Sequence, residues 1–224
     1  MLVLPNCLLA QGRYGFGFGL PVGPANDGST FLTLNGSSVL NTTNRGRYIE
    51  TGASGGNDNY FTGTLDGINE RRGFFLFDLS NFQTSIASAS ISLFNCATLG
   101  GPPCNGGGNG YGSANASETI DLFDFLGSRT ALVGGTGGLA AFNDLGSGAV
   151  FGTRTISAAD NGSAVTFVLN SAGIAALNGA RGNTFAVGSA MRLGTTAVVP
   201  EPATSALLGV GLVLVGTLAR RRRA

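Results

Sequence analysis

Apolar and polar positions alternate strictly in the middle of this chain. Ser88-Ala89-Ser90-Ile91-Ser92-Leu93 places Ala89, Ile91 and Leu93 on one face of an extended segment, the period of a half-buried strand. Val165, Phe167 and Leu169 form a second inward face. Phe74-Phe75-Leu76-Phe77-Asp78-Leu79 is apolar at both alternating sets of positions, the pattern of a central strand covered on both sides, with Asp78 bracing its end. Thr119–Phe125, Val150–Ile156 and Thr184–Val187 are further strands, and Tyr48-Ile49-Glu50 is a weaker one. Short strands separated by turn residues predict a mainly β protein, a jelly-roll-like antiparallel β-sandwich. One short helix accompanies it: Asn170 or Ser171 caps it, Ile174 and Leu177 share a face, and Gly179 ends it. The glycine-rich stretches 100–112 and 134–138 read as loops. After residues 185–193 a further apolar strand is expected and none follows, so the sandwich either lacks an edge strand or takes a short one from residues 190–193.

The end of the chain breaks this pattern. From Ala203 to Ala219 run seventeen residues without a charge. As a helix they span roughly 25 Å, against a bilayer core of about 30 Å that about 17 to 25 residues cross. Gly209, Gly211 and Gly216 would weaken such a helix in water but are tolerated in lipid, where only a helix satisfies the backbone. Arg220, Arg221, Arg222 and Arg223 follow directly, and arginines beside a span stay on the cytoplasmic side. A single transmembrane helix over 203–219 is therefore predicted, with the residues before Pro200 outside. The chain divides into a poorly defined N-terminus (1–25), a β-sandwich domain (26–195) and this tail (196–224). Met1–Ala10 reads either as the remnant of a signal peptide or as an apolar N-terminal strand.

Charge and composition narrow the chemistry. The basic residues are all arginine, and the chain has no histidine. That excludes Ser-His-Asp and Cys-His catalysis and any histidine-ligated metal. Three cysteines cannot close a four-thiolate zinc site. Without the four terminal arginines the body holds nine basic and twelve acidic residues, which offers nucleic acid no basic patch. No cofactor is expected. Cys96 and Cys104 enclose seven residues and either form a disulfide outside the cytoplasm or remain free thiols. Asp58 and Asp66 are the only candidates for calcium, weighed against plain solvated turns, since no D-x-D-x-D-G loop is present. Sequence spacing pairs no two carboxylates for glycoside hydrolysis. The chain has no tryptophan, and Tyr111 in the glycine-rich stretch is the ring expected to be exposed for glycan contact.

Two resemblances join these readings. Val199-Pro200-Glu201-Pro202, the apolar helix and the terminal arginines resemble the PEP-CTERM sorting signal throughout residues 198–224. The resemblance implies a bacterial protein exported across the inner membrane and recognised by an exosortase. That membrane-embedded enzyme would cut near Pro200-Glu201-Pro202, with Glu201 a recognition residue, and send the body to the cell surface or extracellular matrix. The second lies in the body. Asn59-Tyr60-Phe61-Thr62-Gly63, Arg71-Arg72-Gly73-Phe74 through Ser80, Ser88–Ile91 and Ala140–Gly146 are similar to β-sandwich domains of PEP-CTERM proteins, of the DNRLRE and carbohydrate-binding-like kind. The expected function is a non-enzymatic surface or matrix protein, with a weak carbohydrate-binding module on exopolysaccharide as the alternative and a carboxylate-based hydrolase ranked last. The expected partners are the exosortase, the inner membrane through 203–219, and exopolysaccharide, without nucleic acid. Pro200 and Pro202 hold the chain extended for a peptidase cleft. Replacing both with Ala is expected to slow processing, seen as accumulation of the uncut chain in the native host; unchanged processing would contradict this role.

Overall fold

The computed structural model describes residues 14–17, 29–57, 59–64, 68–96, 110–113 and 115–192. All belong to one unit that ends at Arg192. Among the described residues the strands are β1 (Tyr14–Gly17), β2 (Thr30–Leu34), β3 (Ser38–Ile49), β4 (Ser54–Asn57), β5 (Phe61–Thr64), β6 (Glu70–Asp78), β7 (Ala89–Asn95), β8 (Ser117–Asp124), β9 (Val150–Ser157), β10 (Ser163–Val168) and β11 (Thr184–Arg192). The α-helices are α1 (Arg129–Val133), α2 (Gly138–Asp144) and α3 (Ser171–Gly179).

Eight strands follow the order β10-β7-β2-β3-β6-β11-β8-β9, every pair antiparallel. The long strand β3 joins two layers. Its residues 38–41 pair with β2, and its residues 42–49 pair with β6, with a register shift between Thr42 and Asn44. Such a shift bends a strand and increases its twist. The Thr42 hydroxyl donates to the Asn44 and Leu76 carbonyls, at 2.8 and 2.9 Å, and satisfies the backbone at the bend. At the far ends the path nearly closes. Asn170, just past β10, donates its backbone N–H to Phe151 of β9 at 2.8 Å, and its side-chain amide to Val150 at 2.7 Å. A Cβ on Gly152 would sit 2.9 Å from the Val168 carbonyl oxygen, so glycine permits this approach.

The expected strands are present, and several are longer than expected. β11 runs unbroken through nine residues in the middle of its layer, so residues 190–192 are no separate edge strand. β2 lies between β3 and β7. β2 and the first half of β3 were not expected. Their hairpin turns at Asn35 and Gly36, whose φ angles of 51° and 73° suit an Asn-Gly type I′ turn. β1 falls inside the segment expected to be poorly defined and pairs with β5.

The inward faces bury Leu32, Phe75, Phe77, Ile91, Leu93, Leu122, Val165 and Phe167 in one core. The other face of β3 and β6 carries Tyr48, Phe74 and Leu76, which are buried under Leu132 of α1, Phe142 of α2 and Leu145. This explains why the Phe74–Phe77 run is apolar on both sides. Burying each such side chain stabilises the fold by roughly 1.5–3 kcal/mol.

One helix was expected, and α3 matches it: the Asn170 side chain accepts from the N–H groups of Ala172 and Gly173 at 2.9 and 3.1 Å. α1 and α2 are corrections to that expectation, and α2 begins within the stretch expected to be a loop. Each is too short to show a helical period. Gly135 and Gly138 take positive φ, 71° and 60°, and a Cβ on Gly137 would lie 2.5 Å from that of Ala141. Arg72 fixes α2. Its guanidinium lies 4.1 Å from the Phe142 ring centroid, donates to the carbonyls of Phe142 and Asn143 near the helix C-terminus, and pairs with Glu70 at 2.9 Å. No helix among the described residues is long and apolar enough to cross a membrane, and the expected span at 203–219 lies outside them.

Tyr48 ties α1 to β3. Its buried hydroxyl lies 3.0 Å from the carbonyl oxygens of Ala131 and Leu132 and accepts from the Gly137 N–H at 3.1 Å. Tyr48→Phe leaves that N–H without a partner. The expected result is a loss of about 1–3 kcal/mol in urea-unfolding stability, with an unchanged m-value.

Candidate functional site

The sorting-motif residues Val199, Pro200, Glu201 and Pro202, the cluster Arg220–Arg223, and Cys104, Asp58 and Asp66 lie outside the described residues. Cys96 follows β7, is fully buried and is disulfide-bonded; its partner sulfur lies outside the described residues.

Tyr111 is not the exposed ring that was expected. It is 9% exposed and belongs to the main core. Its hydroxyl donates to the Asn115 carbonyl at 2.7 Å, and its N–H donates to Asn161 Oδ1 at 2.6 Å. Asn161 Oδ1 also accepts from the Asn95 amide at 2.9 Å, which ties the end of the glycine-rich stretch to β7 and to the turn before β10. An aromatic body beside glycines gains more by entering the core than by facing water. Burial pushes the Tyr111 phenol above its ordinary value, with the Ser113 side chain opposing and the Glu118 charge adding.

Every described carboxylate accepts at least one hydrogen bond from the protein. Asp121 is 3% exposed and accepts from Arg192 Nε and Nη2, both at 2.8 Å, and from the Thr153 hydroxyl. Asp144 accepts from the N–H groups of Leu126 and Gly127 at 2.9 and 2.8 Å, linking α2 to the chain after β8. Asp160 forms a capping box with Ser157. Glu118 accepts from Ser113 and Asn115, both at 2.7 Å. Glu50 accepts from the Glu70 N–H at 3.1 Å, and Glu70 pairs with Arg72. Asp78, at the end of β6 as expected, accepts from the Ser80 N–H at 2.8 Å, and that bond lowers its pKa. Asp124 accepts from the Ala149 N–H at 2.8 Å. No group of three or more His, Cys, Asp or Glu able to hold a metal occurs among the described residues.

The described part contains a cleft. It has a volume of about 260 Å³ and lies between the C-terminal end of α3 and the neighbouring parts of β8, β9 and β11. Its lining includes Phe125, Phe151 and Phe185, each at most 5% exposed, with Phe151 and Phe185 stacked at 5.9 Å between centroids, and Leu126, which is 82% exposed. Gly179 and Ala180 keep the α3 side small, and Asp124 and Arg129 bring the charge. The sequence carries no local signal for it, because its residues come from five separate segments.

Residues 198–223 match the PEP-CTERM protein-sorting motif. No curated protein matches the chain.

Because the folded Tyr111 holds its proton to higher pH than the unfolded phenol does, stability falls as pH rises past the unfolded value of about 10. Tyr111→Phe should make the alkaline limb of stability against pH shallower, measured by urea unfolding at stepped pH. An identical limb would mean that the phenol titrates as if exposed.

Proposed function

We propose that this chain is a non-enzymatic exported protein of the bacterial cell surface or biofilm matrix, delivered by its tail and processed by an exosortase. The observation that carries this reading is the PEP-CTERM sorting motif at residues 198–223. In this reading the apolar segment 203–219 holds the exported body at the inner membrane, and Arg220–Arg223 stop transfer on the cytoplasmic side. Val199-Pro200-Glu201-Pro202 is then presented as extended chain beside the membrane. The covalent chemistry belongs to the exosortase.

The body is the delivered product. A jelly roll is supported by its strand order: β6-β11-β8-β9 form one layer and β10-β7-β2-β3 the other. From β6 onward, the chain changes layer between β6 and β7, β7 and β8, β9 and β10, and β10 and β11. The non-enzymatic reading draws support from the absence of histidine and from the structural engagement of each described carboxylate. The alternative, exopolysaccharide binding through an aromatic platform, loses its ring with the burial of Tyr111.

The intact mass of the mature protein from its native host tests the proposal. The expected C-terminus lies near Pro200–Pro202, with Arg220–Arg223 gone. A mass that retains the arginines would mean a permanent anchor and would remove the exosortase from the account.

A further inference from the structure

Arg129 differs from every other described arginine. Arg45, Arg47, Arg71, Arg72, Arg154, Arg181 and Arg192 each bond to a protein group. Arg129, exposed at the first position of α1, makes no hydrogen bond or ion pair among the described residues, and it lines the cleft.

Gly179 is a second, independent sign. It closes α3 without positive φ, and a Cβ there would meet nothing within 4 Å. Glycine weakens a helix relative to alanine, and neither packing nor backbone geometry demands it here. What its missing side chain leaves is open space at a residue of the cleft wall.

Asp124 supplies a third feature. Its Oδ1 is held by the Ala149 N–H, and a Cβ on Gly148, whose φ is +92°, would approach that oxygen to 2.1 Å. The Ala149 N–H thus holds one carboxylate oxygen, glycine at 148 leaves room for it, and Oδ2 makes no hydrogen bond among the described residues. The cleft thus offers a guanidinium and a carboxylate oxygen that have no partner among the described residues, beside an apolar wall of the exposed Leu126 with Ala176 and Ala180.

We propose that this cleft binds a uronic acid, free or as a unit of an acidic polysaccharide. The ring carboxylate pairs with Arg129, whose planar fork suits bidentate recognition. A ring hydroxyl donates to Asp124 Oδ2, and the C–H face lies on the apolar wall. A neutral sugar leaves Arg129 unanswered, and a simple fatty acid has no hydroxyl for Asp124. The inference rests on the cleft and is independent of how the tail is processed.

The test uses the full chain in detergent micelles, titrated with sodium glucuronate, a glucuronate oligomer and glucose, and read by ligand-observed NMR. Because Arg129 is exposed, the expected dissociation constant for glucuronate is roughly millimolar, weakening with added salt. Glucose is expected to bind at least about tenfold more weakly. Arg129→Gln and Gly179→Leu should each weaken glucuronate by about tenfold or more, while Gly179→Leu unfolds at the same or a higher temperature. Tighter binding of the oligomer assigns the site to a polymer, and equal binding assigns it to the single ring. The proposal is overturned if glucuronate does not bind, if glucose binds as well, or if both variants bind like the parent.

Discussion

Four consecutive apolar side chains on one strand cannot share a face. Phe75 and Phe77 of β6 point into the main core, while Phe74 and Leu76 point the other way. Leaving either pair in water would forfeit several kcal/mol of burial. Two apolar compartments must therefore exist, one inside the curled sheet and one under a cover outside it. Most of the remaining structure answers this requirement. The curl of β3 at Thr42 brings the second layer over Phe75 and Phe77, and α1 and α2 cover Phe74 and Leu76.

The cover is held by polar groups because its helices are too short to hold themselves. A helix of five or seven residues nucleates poorly alone. Tyr48 and Arg72, projecting from the strands, reach the backbone of α1, α2 and the link between them. The same economy extends across the described charges: acidic side chains brace turns, caps and strand ends. Against that background, Arg129, which has no partner among the described residues, and Gly179, which has no side chain, mark one region of the surface that the described fold does not use. Where folding makes no use of a charge or a void, a ligand can.

Body and tail are read in different ways. The tail matches a known motif through the linear order of proline, apolar run and arginines. The body matches no curated protein, and its surface is assembled from distant segments. The sorting motif is thus carried by a linear stretch, whereas the body's surface is set by the folded sheet.

The sequence by itself determined the features that depend on neighbours along the chain. The alternation at Ala89, Ile91 and Leu93, the double-sided run at Phe74–Phe77, the Asn170 cap and the tripartite tail were all legible. The hairpin of β2 and β3 had a signal too, Asn35-Gly36 between strand-forming residues, and it was missed. Other features had no local signal. The short helices α1 and α2 lie among glycines and exist because Phe74 and Leu76 need covering. The place of β2 between β3 and β7, the burial of Tyr111 against Asn161, and the cleft that Arg129 and Asp124 share with Gly179 and Phe185 come from bringing together segments far apart in sequence. Tertiary structure decided them because burial is settled by the whole core, and no short window of sequence carries that information.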